Sequence, residues 1–162
     1  MSDLGALLKL PRLCVLIFGG IVAVVVTAMM PQPAQAVPFQ QYRSASGCSP
    51  VALCRVSFPV VAANRAFDIK SVSCSNTIGN QTVEILEASL NVVRNSDDVT
   101  VIRDRLLPVL QGRNGLGTWF SINQQTQVTI SAGFYAQVAI SADVISSQLL
   151  SCKISGDLRT VP

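Results

Sequence analysis

From Val51 onward, apolar side chains in this chain recur at every second position, and no ten-residue stretch carries them at the helical spacing of 3.6. A period of two puts one row of side chains on each face of a strand, so this alternation confines the chain to β-structure. Ala52, Cys54, Val56, Phe58 and Val60 oppose Arg55, Ser57 and Pro59, and Leu86, Ala88, Leu90 and Val92 oppose Glu87, Ser89 and Asn91. Phe67 and Ile69 alternate with Asp68 and Lys70, but Val72 and Cys74 then resume one step out of phase, which predicts a β-bulge. Val128, Ile130 and Ala132, then Ala136, Val138 and Ile140, flank a turn near Gly133, and Leu150, Cys152, Ile154 and Leu158 share one face of the last strand.

Turn chemistry separates these runs. Pro59 lacks a ladder donor and marks its strand as an edge or ends it there. Asn95-Ser96-Asp97-Asp98 is a turn, Leu107-Pro108-Val109-Leu110 breaks the strand that starts at Val99, and Gln111 to Thr118 reads as a long glycine-rich loop. Residues 37–47 are polar and mixed and read as a flexible arm. About seven strands at spacings of roughly ten residues predict one all-β domain over residues 48–162, an antiparallel two-sheet sandwich.

The first 36 residues are of a different kind. Lys9 and Arg12 precede an apolar run from Leu13 to Met30, followed by Pro31-Gln32-Pro33-Ala34-Gln35-Ala36. That is the order of a signal peptide, with Ala34 and Ala36 forming the small-x-small cleavage pattern. Cleavage is expected after Ala36. The alternative is an uncleaved signal segment whose residues 13–30 anchor the chain in the inner membrane. In either case the domain is exported across a membrane.

Four cysteines follow the leader, and in an oxidising compartment they predict the disulfides Cys48–Cys54 and Cys74–Cys152. Cys74 and Cys152 each occupy the apolar side of a strand from opposite ends of the domain, so their bridge belongs in the core. Zinc is the rival, but the Cys48-x5-Cys54 spacing is too wide and the chain has no histidine. The same lack excludes Ser-His-Asp and Cys-His catalysis, and neither Lys70 nor Lys153 has a serine three residues before it. The formal charge is +3, and +2 once Lys9, Arg12 and Asp3 leave with the leader, too little and too dispersed for a nucleic-acid face.

Paired carboxylates remain, drawn from Glu84, Glu87, Asp97, Asp98 and Asp104, but Glu84 and Glu87 are an odd number of residues apart and Asp97 and Asp98 are turn residues. The glycines of the 112–117 loop and Arg113 lack the following helix that a phosphate cradle needs. Trp119 and Phe120 come next, as an exposed binding platform or as core. The only tryptophan of a small sandwich is expected in the core.

The segments Phe67-Asp68-Ile69-Lys70-Ser71-Val72-Ser73-Cys74, Val128 to Ile140 and Cys152-Lys153-Ile154-Ser155-Gly156-Asp157-Leu158 together resemble a group of uncharacterised exported bacterial proteins. The resemblance implies a jelly-roll-like sandwich in the bacterial periplasm or outside the cell, and supplies no activity. The expected function is non-catalytic, with no cofactor and no metal: the binding of a carbohydrate, a protein or an envelope component, with Trp119, Phe120 and Arg113 as candidate contacts. The alternative is a carboxylate-dependent hydrolase such as a glycosidase.

Overall fold

A computed structural model describes residues 36–46, 48 and 51–161. The signal segment, its membrane-anchor alternative over 13–30 and the residues ahead of Ala36 lie outside the described residues. Nine strands are described: β1 Val37–Ser46, β2 Val51–Ser57, β3 Arg65–Ile78, β4 Ile85–Arg94, β5 Thr100–Arg105, β6 Val109–Asn114, β7 Gly117–Ser131, β8 Phe134–Ser146 and β9 Gln148–Thr160. They form two antiparallel sheets, one ordered β1-β9-β3-β7-β6 and the other β2-β8-β4-β5. The all-β, two-sheet expectation holds, with no helix among the described residues.

The inward rows of the two sheets make one core, in which Ile69, Leu90, Ile122, Ile130, Ile140 and Ile154 are almost wholly buried. A smaller cluster of Ile78, Val83, Phe120 and Ala142 extends it. Every described strand, this core and both disulfides lie between residues 37 and 160, so this segment carries all that an independently folding domain requires.

Cys48 is bonded to Cys54, and Cys74 to Cys152. Cys74 and Cys152 stand directly opposite one another on β3 and β9, with Cα atoms 4.1 Å apart, and both are buried. Two disulfides belong to a chain that matures in an oxidising compartment such as the periplasm or the cell exterior.

The phase slip in β3 is a bulge: its register against both β7 and β9 shifts between Ile69 and Ser71. Pro59 does follow the end of an edge strand, since β2 stops at Ser57 and lies outermost in its sheet.

Four expectations need correction. Residues 37–46 are not an arm but the strand β1, paired with β9 along its whole length, so the domain begins at Val37 rather than at residue 48. The free edge of β9 offers a full row of backbone partners, and these outweigh the weak side-chain pattern of β1. The glycine-rich loop is a hairpin in which β6 pairs with Gly117–Ser121 of β7 across a turn at Gly115-Leu116. Gly117 holds φ at +150°, and an added Cβ there would stand 2.2 Å from the Ile78 carbonyl oxygen. Leu86 is 64% exposed rather than inward, because a second bulge, between Ile85 and Glu87, turns it over. Val61, not Val60, completes the inward row after Phe58.

Candidate functional site

Beyond the bulge of β3, the outward row of the five-stranded sheet reads Ser71, Ser73, Ser75 and Thr77 on β3, with Ser151, Lys153 and Ser155 on β9 and Ser121, Asn123 and Gln125 on β7. Ser71 and Ser155 share a hydrogen bond at 2.6 Å, Ser73 donates to Asn123 at 2.7 Å, and Gln111 donates to Ser121 at 2.8 Å. The result is a flat lattice of donors and acceptors.

Two rings stand on this lattice. Tyr42 belongs to the row Tyr42-Lys153-Ser73-Asn123 and is 66% exposed. Trp119 belongs to the row Leu149-Thr77-Trp119, with Gly112 beyond it on β6. Trp119 is half-buried on the outward face and takes no part in either core cluster, which corrects its expected core position. Its neighbour Phe120 points the other way, is 8% exposed and belongs to the smaller core cluster, so it is not available as a contact. Three strand spacings and four residues of rise separate Tyr42 from Trp119, roughly 20 Å along a diagonal of the face. Leu149, 48% exposed, lies in the same row as Trp119. Tyr42 was missed in the sequence because it fell in the presumed arm, where Gln41 and Arg43 blur the alternation.

Charges gather at the end of this face past the bulge. Asp68 accepts from Arg159 at 2.8 Å and from Thr129 at 2.7 Å, and Lys70 pairs with Asp157. The Arg159 bond, then the Thr129 bond, hold the Asp68 carboxyl below the usual carboxylate range. A depressed folded-state pKa gives stability that is fully present above the unfolded value of about 3.9 and is lost as pH falls through the folded value. Asp68→Asn should therefore cost less than about 1 kcal/mol at pH 7, the side chains of the pair being 39% and 32% exposed and so screened by solvent. Urea titrations at pH 7 and below pH 3 should show the variant's deficit vanishing in acid; an equal deficit at both would contradict this assignment.

Arg113 lies at the end of β6, exposed, and reaches the Val83 carbonyl at 3.4 Å, away from the two rings. Asp68 and Asp104 both line an open groove of about 1130 Å³ between β5 and β7. Asp104 accepts from Thr126, while Gln124 bridges Arg105 and Leu107 by accepting from the Leu107 amide at 3.0 Å and donating to the Arg105 carbonyl at 2.9 Å. Of the other candidate acids, Glu87 pairs with Arg103, Asp97 pairs with Arg94 inside the turn, Asp98 accepts from the Tyr135 hydroxyl at 2.9 Å, and Glu84 donates its backbone amide to Asp143 at 2.9 Å. Among the described residues no group of three His, Cys, Asp or Glu side chains is placed to hold a metal ion.

Fold and face together define a disulfide-bonded, all-β, two-sheet domain with an aromatic-bearing polar face. No protein-family model matches the chain, and no curated protein matches it. Among solved structures it is similar to dimeric latent PorU from Porphyromonas gingivalis, at a TM-score of 0.42 and 9% identity over 78% of this chain and 14% of that one. The chain thus spans about a seventh of that protein's length.

Proposed function

We propose that this is an exported, non-catalytic binding domain that takes a carbohydrate chain on the outward face of its five-stranded sheet. The observation that carries the reading is the placement of Tyr42 and Trp119 on one flat lattice of hydroxyls and amides. Aromatic faces accept the apolar C–H faces of sugar rings, and the surrounding groups exchange hydrogen bonds with sugar hydroxyls. Both rings are stiff, so ordering them on a ligand costs little entropy. The hydrolase reading has less support, because Glu87, Asp97, Asp98 and Asp104 are each engaged by an ion-pair or hydrogen-bond partner.

A glycan array probed with the protein beginning at Val37 should yield a bound class of sugar chains. Tyr42→Ala and Trp119→Ala should each weaken that binding by about 1 to 2 kcal/mol, a factor of about 5 to 30, with little loss of stability. Trp119 is the only tryptophan, so its emission should be quenched by iodide in the free protein and protected by the ligand. A tryptophan that iodide cannot reach, or variants that bind as well as the parent, would remove the platform.

The same proposal places the domain in the bacterial periplasm or outside the cell after cleavage behind Ala36. The intact mass of protein recovered from those fractions should correspond to a chain starting at Val37. A Met1-containing chain held in the membrane fraction would establish the anchored form instead.

A further inference from the structure

In the inward row of β9, Gly156 stands between Ile154 and Leu158. Gly156 is paired with Phe39 of β1 on one side and Ile69 of β3 on the other. On the facing sheet β2 ends at Ser57, ahead of Pro59, while the Phe58 amide donates to the Ala136 carbonyl of β8 and the Val61 amide to the Phe134 carbonyl. Between the two sheets a cavity of about 240 Å³ opens at this end, where β2 does not continue beyond Ser57. Phe39 and Phe67 meet edge to face at 5.4 Å in its wall, and Ile130, Ile154 and Leu158 form much of the rest.

The lining carries one charge. Arg65, first residue of β3 and in the same inward row as Phe67, stands exposed at the mouth and takes part in no ion pair among the described residues. Gln41 is the other long polar side chain of the wall, and no acid lines it. An apolar cavity of about 150 Å³ is enough for benzene, so the larger volume here takes an alkyl chain of medium length. Apolar walls with a single convergent cation select an amphiphile with one negative end.

We propose that this cavity is a binding site for a free medium-chain carboxylate, its alkyl chain between the sheets and its carboxylate against Arg65. The site is separate from the polar face, and neither depends on the other.

Calorimetric titration of the protein beginning at Val37 with octanoate, butanoate and octanol tests it. Octanoate should bind saturably with one site per chain, and butanoate about a hundredfold more weakly, because four buried methylenes are lost. Arg65→Gln should weaken octanoate about tenfold and leave octanol unchanged. Ala136→Phe should place a ring in the cavity and abolish binding of both, provided that circular dichroism shows it folded. Equal affinity for octanoate and butanoate, no saturable binding of octanoate, or octanoate binding indifferent to Arg65→Gln would each overturn the proposal. The chain-length comparison uses the unaltered protein, so the test stands even if Ala136→Phe misfolds.

Discussion

Exchanging Cys74 and Cys152 together for Ala should lower the unfolding free energy by up to about 4.5 kcal/mol, against about 2.4 kcal/mol for the same exchange of Cys48 and Cys54. The two bridges differ in what they restrict. Cys74 and Cys152 are separated by 78 positions, Cys48 and Cys54 by 6, and a cross-link removes more freedom from the unfolded chain when the loop it closes is longer. In the folded state the long bridge adds little to a pairing of β3 and β9 already set by their ladder, so its effect falls mainly on the unfolded ensemble. Cys54, Cys74 and Cys152 are buried and Cys48 is half-buried, so the core loss adds to the loop-length difference in the same direction. Urea titrations of the oxidised parent and the two double variants measure it. Equal losses, or a larger loss from the Cys48–Cys54 pair, would contradict the chain-entropy account.

Gly156→Ala should cost about 2 to 3 kcal/mol, near the upper end for a single added carbon, because the new atom meets backbone. Its Cβ would stand 1.9 Å from the Asp68 carbonyl oxygen and 2.8 Å from the carbonyl carbon on β3. A flexible side chain would turn aside, whereas here β9 must move away from β3 at the bulge, disturbing the ladder that carries Cys74 and Cys152. Gly115→Ala is the control. Nothing lies within 4 Å of a Cβ there, and the residue sits in the exposed β6–β7 turn, so the change should stay within about 0.5 kcal/mol. Matching losses at the two glycines would show that the close approach at Gly156 is relieved without cost.

A face built from strands distant in sequence could not be read in advance. Trp119 stood out as a candidate, but Trp119 and Phe120 put an aromatic ring on each side of the same strand, and only packing decides which ring is inward. Phe120 went inward because Ile78, Val83 and Ala142 close around it. Tyr42 shares the polar face only because β1 pairs with β9, and that contact is made between opposite ends of the domain. The cavity beside Phe39 likewise needed the segment after β2 to be brought against Phe67, Ile154 and Leu158.

By itself the sequence determined the β-character of the domain, the slip at Lys70, the turn at Asp97-Asp98, the end of β2 near Pro59 and the pairing of Cys74 with Cys152. These follow from local rules: alternation with period two, the conformations that turn residues tolerate, the missing donor of proline, and the row on which a cysteine falls. Tertiary structure alone decided that Val37–Ser46 and Val109–Asn114 are strands and that Leu86 faces solvent. Neither strand has an alternation strong enough to predict it, and each forms because a neighbouring strand, β9 or β7, presents an unpaired edge whose backbone groups must find partners. Leu86 turns outward because a bulge one residue away inverts the row, and a bulge depends on two strands meeting out of register.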